Sequence, residues 1–168
     1  MARTHTIIDS PVGPLTLVAT AGTLSGIYMH QQRHRPADDT FGEPDDTVFT
    51  QTVEQLCEYF AGRRAEFSVP IAPTGTPFQR RVWTALREVP YGHTVSYRQL
   101  ADQIGQPTAA RAVGMANGRN PISIIIPCHR VIGSNGQLTG YGGGPQRKHQ
   151  LLDFEQRHHP DRADVTTA

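Results

Sequence analysis

Cysteine is scarce in this chain. Among its 168 residues there are two cysteines, Cys57 and Cys128, and they do not form a Cys-x-x-Cys pair. Two isolated cysteines give no disulfide framework, so we expect a reducing, cytoplasmic compartment. Cys128 and its neighbour His129 have no companions at the spacing of metal ligands. We therefore expect neither a metal nor a cofactor.

Long apolar runs are also missing. No segment approaches the length of a membrane-spanning helix, and the first residues, Met1 to His5, lead into an alternating strand rather than the core of a signal peptide. Hydrophobic residues make up 37% and charged residues 18% of the chain, which is typical of an ordinary soluble core rather than of disorder. We expect no association with membranes.

Lysine is almost absent, because fifteen of the sixteen basic residues are arginine. The charges are unevenly spread: residues 1–74 hold five basic and nine acidic residues, net −4, whereas residues 75–168 hold eleven and six, net +5. This asymmetry indicates that the second half meets an anion, with nucleic acid the leading candidate. Arginine favours bidentate contacts with phosphate. The alternative is a basic face that is simply solvated.

The first half has the pattern of a small α/β domain. Residues 4–9, 15–18 and 24–29 predict three strands, and residues 30–47 predict a surface loop. A helix from about Val48 has an apolar face on which Cys57 lies, so we expect Cys57 to pack in the core; that face comprises Val53, Leu56, Cys57 and Phe60. Residues 66–71 are interpreted as a last strand.

The domain organisation follows from a Pro- and Gly-containing linker, Ala72-Pro73-Thr74-Gly75. We expect a structural domain over residues 1–74 and a second domain over residues 75–157, followed by a flexible tail over residues 158–168.

The second half predicts several helices. Thr76 followed by Pro77 is a strong helix start. Ser96-Tyr97-Arg98-Gln99 has the form of a capping box and predicts a short helix that stops at Gly105. A second helix, residues 109–117, is predicted to be capped by Thr108. Two short helices joined in this way are typical of a helix-turn-helix, although many paired core helices look the same.

The second of these helices has a face of small residues. Its predicted inner side comprises Ala109, Ala112, Val113 and Ala116, and its other side comprises Ala110, Arg111 and Gly114. Only Arg111 is expected to project. Such a face can approach a nucleic-acid groove closely and insert the guanidinium between bases. The alternative is an exposed arginine on an Ala-rich helix.

A reactive thiol is indicated at Cys128. The apolar run at residues 122–126 between Pro121 and Pro127 predicts a buried strand or extended segment. His129 and Arg130 follow Cys128 directly, and neighbouring basic groups lower the pKa of a thiol. The alternative is a buried structural cysteine.

A second candidate group lies on the last predicted helix, which begins at Pro145. Lys148, Leu151, Leu152 and Glu155 share one face of it. A carboxylate on an apolar face needs a partner, which is either the imidazole of His129 or some arginine. Between the thiol and this helix, residues 131–138 predict a hairpin with Asn135-Gly136 at its turn, and residues 140–144 a Gly-rich pocket wall.

These motifs together resemble a known family. Pro127-Cys128-His129-Arg130, preceded by Gly118-Arg119-Asn120-Pro121 and followed by the Gly-rich loop at Tyr141, closely resembles the acceptor site of the O6-alkylguanine-DNA alkyltransferases, the methylated-DNA–protein-cysteine methyltransferases. The resemblance covers about residues 76–155. It implies an α/β (α+β) protein in which a small N-terminal α/β domain with an antiparallel sheet precedes a mostly helical domain with a helix-turn-helix and a buried acceptor cysteine.

The resemblance also implies the site residues. Cys128 accepts the alkyl group, His129 removes the thiol proton directly or through one water, Glu155 orients the imidazole, Tyr97 donates a proton to the leaving guanine, and Asn120 braces the thiol segment. The implied DNA contacts are Arg111, Ala109, Ala110, Gly114, Arg119 and Ser134. The implied substrate pocket is Tyr97, Val131, Tyr141, Gly142 and Gly143.

The implied partner is double-stranded DNA that contains O6-alkylguanine, and O4-alkylthymine as a second substrate. The target nucleotide is flipped out of the helix, and each protein molecule acts once. We expect a monomer, with cooperative binding on DNA left open. Ser123 stands where some relatives carry proline and Gly142 where some carry serine, so the range of alkyl groups also stays open.

Two other functions compete with this one. A cysteine hydrolase would use Cys128, His129 and Glu155, but neighbouring side chains diverge in an extended segment. A regulator that only binds DNA would explain Arg111 and the charge asymmetry but would give Cys128, His129 and Glu155 no role. A covalent adduct on Cys128 separates the three.

Overall fold

The computed structural model describes residues 2–133 and 141–158. The first half contains a four-stranded sheet in the order β3-β2-β1-β4. Its strands are β1 (Arg3–Ile8), β2 (Leu15–Thr20), β3 (Thr23–Met29) and the short β4 (Glu43–Pro44). The first three pair in antiparallel fashion as predicted, whereas β4 pairs with β1 in parallel and was not foreseen.

Helix α1 (Thr50–Phe60) packs into the same core as this sheet, and three predictions about this region are wrong. Cys57 is exposed, not packed in the core. The buried face is set one residue further back than predicted, since its most enclosed side chains are Thr52, Gln55, Leu56 and Tyr59. Residues 66–71 form no strand, because they make only an isolated bridge through Ile71 to Leu24.

The second half begins with α2 (Pro77–Leu86), which confirms the predicted start. Thr76 and Gln79 form a reciprocal capping box at its N-terminus. Helix α2 buries Val82, Trp83 and Leu86 in the core that both halves share. The Trp83 indole donates a hydrogen bond to the carbonyl of Ala116 at 2.9 Å, which fixes the next helices against α2.

The predicted pair of short helices is confirmed as α3 (Tyr97–Gln103) and α4 (Ala110–Gly118). Ser96 and Gln99 form the capping box of α3. Thr108 does not cap α4, because the N-cap position is occupied by Ala109 and makes no side-chain hydrogen bond. The inner face of α4 also differs from the prediction: it consists of Val113, Ala116 and Asn117, and Ala112 is exposed.

The acceptor segment, residues 122–130, is buried as predicted but is not one extended strand. Ile124 has a backbone φ of +75°, which is unusual for a β-branched residue. The chain reverses there, and the amide of Ile126 donates to the carbonyl of Ile122 at 3.0 Å. Cys128–Arg130 form a short 3₁₀ helix that leads into β6 (Val131–Ile132), paired in parallel with β5 (Val95–Ser96).

The last helix, α5 (Pro145–His158), extends one residue into the segment predicted as a tail. It buries Lys148, Leu151 and Glu155 on the predicted face. The predicted hairpin turn at Asn135-Gly136 and the rest of the tail lie outside the described residues. Among the helices in the described part of the chain, none is long and apolar enough to cross a membrane.

Candidate active site

Cys128 lies at the start of the 3₁₀ helix and is enclosed by the core, with 3% of its surface exposed. Burial raises the pKa of its thiol to about 11, against weaker lowering effects from an Asn120 hydrogen bond and the Lys148 charge. The expectation that His129 and Arg130 would give this thiol a lowered pKa is therefore wrong, because burial outweighs the lowering effects. The thiol stays protonated at neutral pH and needs a base before it can attack.

Asn120 connects the turn before Cys128 to the thiol itself. Its amide nitrogen donates to the Cys128 Sγ at 3.0 Å and to the carbonyl of Ile126 at 2.8 Å. Its side-chain oxygen accepts a hydrogen bond from the amide of Ile122 at 3.0 Å. These three contacts hold both ends of the acceptor segment and orient a donor at the sulfur, where it favours the thiolate.

His129 contacts Glu155 in the core. The Nε2 atom of its imidazole lies 2.7 Å from the Glu155 Oε2, and neither residue is exposed. Because an ionised carboxylate only accepts hydrogen bonds, Nε2 carries a proton, and in the neutral form of the ring Nδ1 has the free lone pair. Nδ1 is buried and makes no hydrogen bond with any residue that the structure describes. It is the atom available to take a proton.

Glu155 is held as a carboxylate. Burial by itself raises its pKa, but the charges and hydrogen bonds of His129 and Arg130 outweigh burial and hold the pKa well below its usual range. The Arg130 Nε donates to Oε1 at 2.8 Å. The Tyr59 hydroxyl donates to Oε2 at 2.6 Å, and the amide of Gly92 donates to Oε1 at 3.4 Å.

Lys148 and Tyr97 complete the surroundings of the thiol. Lys148 is fully buried, and burial lowers its pKa to about 8 even though the charge of Cys128 acts in the opposite direction. Its ammonium lies 5.9 Å from the centre of the Tyr97 ring. Burial, followed by the charge of Cys128, raises the pKa of Tyr97, and a hydrogen bond with Asn117 lowers it in part.

The predicted pocket residues are partly brought together. Tyr141 is buried and its hydroxyl lies 3.8 Å from the Met29 Sδ, so strand β3 contributes to this region. The carbonyl of Gly142 accepts a hydrogen bond from the amide of Arg33 at 2.8 Å. A Cβ atom on Gly143 would lie 2.6 Å from the Tyr141 ring, so a side chain there requires a rearrangement. Val131 is buried in β6, and Ser134 lies outside the described residues.

Helix α4 presents the predicted DNA-contacting residues. Arg111 is exposed, and its side chain makes no hydrogen bond or ion pair with another described residue. Ala109, Ala110 and Gly114 are half-buried, and a Cβ on Gly114 would lie 3.7 Å from the Tyr97 ring. The expectation that only Arg111 projects is wrong, because Met115, on the next turn, is 65% exposed. Arg119 is exposed beyond the end of α4.

Sequence reasoning missed several residues of the site. Arg130 was seen only as a neighbouring cation, although it forms an ion pair with Glu155. Lys148 carried a usable signal, since it is the single lysine of the chain and shares the apolar face of Glu155. Asn117 donates to the carbonyl of Cys128 at 3.3 Å. Tyr59 lay in the other half of the chain and gave no signal.

No metal centre accompanies these groups: within residues 2–133 and 141–158, no three of the His, Cys, Asp and Glu side chains form a group able to hold a metal ion.

Comparisons with protein families match both halves of the chain. Residues 77–157 match the family model described as the 6-O-methylguanine DNA methyltransferase DNA-binding domain. Residues 4–73 match the model described as the ribonuclease-like domain of 6-O-methylguanine DNA methyltransferase.

Individual relatives cover nearly the whole chain. A methylated-DNA–protein-cysteine methyltransferase of Mycobacterium tuberculosis is 54% identical over 159 residues, which is 95% of this chain and 94% of the relative. One from Methanosarcina acetivorans is 46% identical, over 90% of this chain and 97% of the relative. A crystal structure of the Mycobacterium tuberculosis protein OGT in complex with DNA superimposes with a TM-score of 0.86 at 52% identity, over 95% and 96% of the two chains.

Proposed function

The chain belongs to the 6-O-methylguanine DNA methyltransferase family, and from this premise we propose that it repairs DNA by moving the alkyl group of O6-alkylguanine onto its own Cys128. It is a methylated-DNA–protein-cysteine methyltransferase that reverses the damage directly. The observation that carries the assignment of Cys128 is its position beside the Asn120 amide, one residue before an imidazole whose other nitrogen is bound by a carboxylate.

Activation of the thiol is the first chemical step. The Cys128 Sγ and the His129 Nδ1 share no hydrogen bond among the described contacts, so we assign one water to carry the thiol proton to Nδ1. The imidazolium that forms is stabilised by the Glu155 carboxylate, 2.7 Å from Nε2. The ammonium of Lys148 and the amide of Asn120 favour the thiolate.

Transfer is then an in-line displacement at a saturated carbon. The thiolate attacks the alkyl carbon, the S–C bond forms, and the C–O6 bond breaks with its electron pair going to guanine. Tyr97 donates its phenolic proton to the departing base, and the proton held by His129 returns to Tyr97 through solvent. Guanine is restored, and the thioether on Cys128 is not reversed, so each protein molecule acts once.

The DNA-facing surface is assigned to α4 and its surroundings. We place α4 in the minor groove, where its half-buried Ala109, Ala110 and Gly114 permit close approach and Arg111 fills the space of the flipped nucleotide. Arg119 contacts phosphate, and Ser134 contacts the flipped nucleotide. Val131, Tyr141, Gly142 and Gly143 line the pocket with Tyr97.

We further propose that the protein acts as a monomer in the cytoplasm on duplex DNA that contains O6-alkylguanine, with O4-alkylthymine as a second substrate. The two free cysteines support a reducing compartment.

The test is intact mass after incubation with a duplex that carries one O6-methylguanine. We expect the protein to gain the mass of one methyl group less one hydrogen, mapped to the peptide of Cys128 and saturating at one group per molecule. A Cys57→Ser variant serves as the control and should gain the same mass. Bound DNA without a mass change would favour the regulator, and repeated turnover without an adduct would favour the hydrolase.

A further inference from the structure

Helix α1 of the first half reaches the catalytic carboxylate of the second half. Tyr59 is fully buried, and its hydroxyl donates a hydrogen bond to the Glu155 Oε2 at 2.6 Å, across 96 residues of sequence. Its ring is held by aromatic neighbours, with centroid distances of 5.1 Å to Phe60, 5.5 Å to Phe67 and 5.7 Å to Phe154. The packing of the ring therefore holds the hydroxyl in place together with its hydrogen bond.

Tyr59 shares its acceptor atom with the imidazole. The Glu155 Oε2 accepts hydrogen bonds from the Tyr59 hydroxyl at 2.6 Å, from the His129 Nε2 at 2.7 Å and from the Arg130 Nη2 at 3.1 Å. The other oxygen accepts from the Arg130 Nε and the Gly92 amide. A carboxylate oxygen offers about two lone-pair directions, so the three donors on Oε2 compete for them. The position of each donor therefore affects the hydrogen-bond geometry of the other two.

Tyr59 acts only as a donor in this cluster. Burial, and after it the charge of Glu155, raises the pKa of Tyr59 well above its ordinary value. The phenol therefore stays neutral and cannot serve as the base. Arg130 and Tyr91 are the other charged or titratable groups that act on it, besides Glu155. What the hydroxyl can do is orient the carboxylate.

We propose that Tyr59 is a positioning residue for the transfer reaction: by holding the Glu155 carboxylate, it orients the His129 imidazole toward the thiol, so that the first half of the chain contributes a hydrogen bond to the proton relay. This inference rests on the proposed function only for the step in which the proton of Cys128 is transferred to His129.

The variant that tests it is Tyr59→Phe, which keeps the ring and its aromatic contacts and removes one donor. We expect the single-turnover rate constant for transfer from duplex DNA to fall about tenfold, as for the loss of one hydrogen bond to a charged group. The dissociation constant for DNA should not change, because Tyr59 is buried away from solvent. The low-field NMR resonance of the imidazole N–H between His129 and Glu155 should move.

Tyr28→Phe is the matched control. Tyr28 lies in the same half of the chain, and its ring stacks on Phe41 at 5.5 Å rather than on any residue of the relay. It should leave both the rate constant and the imidazole resonance at their wild-type values. Thermal unfolding of both variants is measured first, and transfer is then compared at a temperature where both are folded.

The outcomes separate this inference from the proposed function. A folded Tyr59→Phe protein that transfers at the wild-type rate, or that is slower with an unmoved imidazole resonance, overturns the positioning role. A wild-type protein that gains no alkyl group overturns the proposed function instead. The NMR comparison then still decides whether Tyr59 controls the Glu155–His129 contact.

Discussion

The region to which we assign DNA binding and the region to which we assign proton transfer are built in opposite ways. Helix α4 carries Arg111 on an exposed face, where its side chain has no bonded partner among the described residues. Glu155, in contrast, is fully buried and is contacted by side chains from α1 and from the 3₁₀ helix at the end of the acceptor segment. Substitution of an exposed side chain can change DNA binding with little effect on the free energy of unfolding. Substitution of a buried side chain affects both the fold and the reaction.

The comparison predicts different consequences of mutation. Changes at the exposed residues of α4 should affect repair of duplex DNA without affecting the fold or the intrinsic reactivity of the thiol. Changes around Glu155 should affect chemistry and stability together, because the same hydrogen bonds satisfy buried groups and orient the imidazole.

The largest effect is expected from Cys128→Ser. Serine is nearly isosteric but its hydroxyl is a far weaker nucleophile at neutral pH, so alkyl transfer should fall below detection while binding to lesion-containing duplex persists. Cys57→Ser is the control: because Cys57 is exposed on α1, that variant should transfer at the wild-type rate. Intact mass and a gel-shift titration check both variants. Residual methylation of the Cys128→Ser protein would show that another residue is the acceptor.

The second-largest effect is expected from Glu155→Gln, which should lower the transfer rate by a factor of about 10²–10⁴, the range of general acid–base catalysis. It also removes the partner of a buried Arg130, so the free energy of unfolding should fall by about 3–5 kcal/mol. Urea unfolding and single-turnover kinetics measure the two effects. Glu88→Gln, an exposed glutamate that accepts a bond from Gln103, should change stability by no more than about 0.5 kcal/mol. Equal stabilities of the two variants would contradict the buried ion pair.

The same carboxylate predicts how stability depends on pH. Its pKa is held well below the usual range in the folded protein, and in an unfolded chain a glutamate has a pKa of about 4.3. The ionised form therefore stabilises the fold above about pH 4.3, and this contribution is lost as the pH falls below it. The stability gap between wild type and Glu155→Gln should narrow on acidification, and a constant gap between pH 7 and pH 3 would contradict this assignment.

Arg111→Ala tests the exposed face of α4. Repair of duplex DNA should fall about 10- to 100-fold, as for the loss of one specific arginine contact, while reaction with free O6-benzylguanine and stability stay unchanged. Arg63→Ala, which removes an exposed arginine from the acidic half of the chain, should leave both reactions at the wild-type rate. Equal losses with duplex and free base would exclude a role for Arg111 in nucleotide flipping.

The smallest effect is expected from Asn120→Ala. The amide that donates to the Cys128 Sγ lowers the pKa of the thiol, so its loss should raise that pKa further and slow transfer about tenfold, as for one hydrogen bond to a charged group. Labelling of Cys128 by iodoacetamide, followed across pH by mass spectrometry, checks the shift. Asn117→Ala is the control for the labelling experiment alone, since Asn117 bonds to the carbonyl of Cys128 and not to its sulfur. A matching shift in both variants would assign the effect to loosened packing.

Local sequence signals predicted the starts of α2 and α3 correctly, whereas the predicted cap of α4 at Thr108 was wrong. The capping boxes at Thr76 and Ser96 join residues three positions apart, so they can be identified without knowing the rest of the fold. Predictions that depended on distant packing were less accurate. Cys57 fits an apolar periodicity but faces solvent, because the neighbouring face of α1, which includes Leu56 and Tyr59, is the one that packs into the core.

The acceptor segment illustrates the same limit. Its β-branched composition predicted burial correctly, yet the chain turns at Ile124 and does not continue as a strand. The edge of β3 provides the reason: Ile27 donates to the carbonyl of Pro121 and accepts from the amide of Ser123, and only the assembled sheet offers those groups. The residues between Ser123 and Cys128 then turn so that the amide of Asn120 can bond to the sulfur.

For this protein, the order of residues alone identifies the side chains to which we assign alkyl transfer and DNA contact, since Cys128, His129 and an arginine on a small-residue helix can be identified from neighbours in sequence. The tertiary structure decides the pKa values and hydrogen-bond partners of those groups. Burial raises the pKa of Cys128 to about 11, and the partners of Glu155 come from 25, 26 and 96 residues away. Desolvation and charge pairing depend on distances through the folded core, and sequence spacing does not specify those distances.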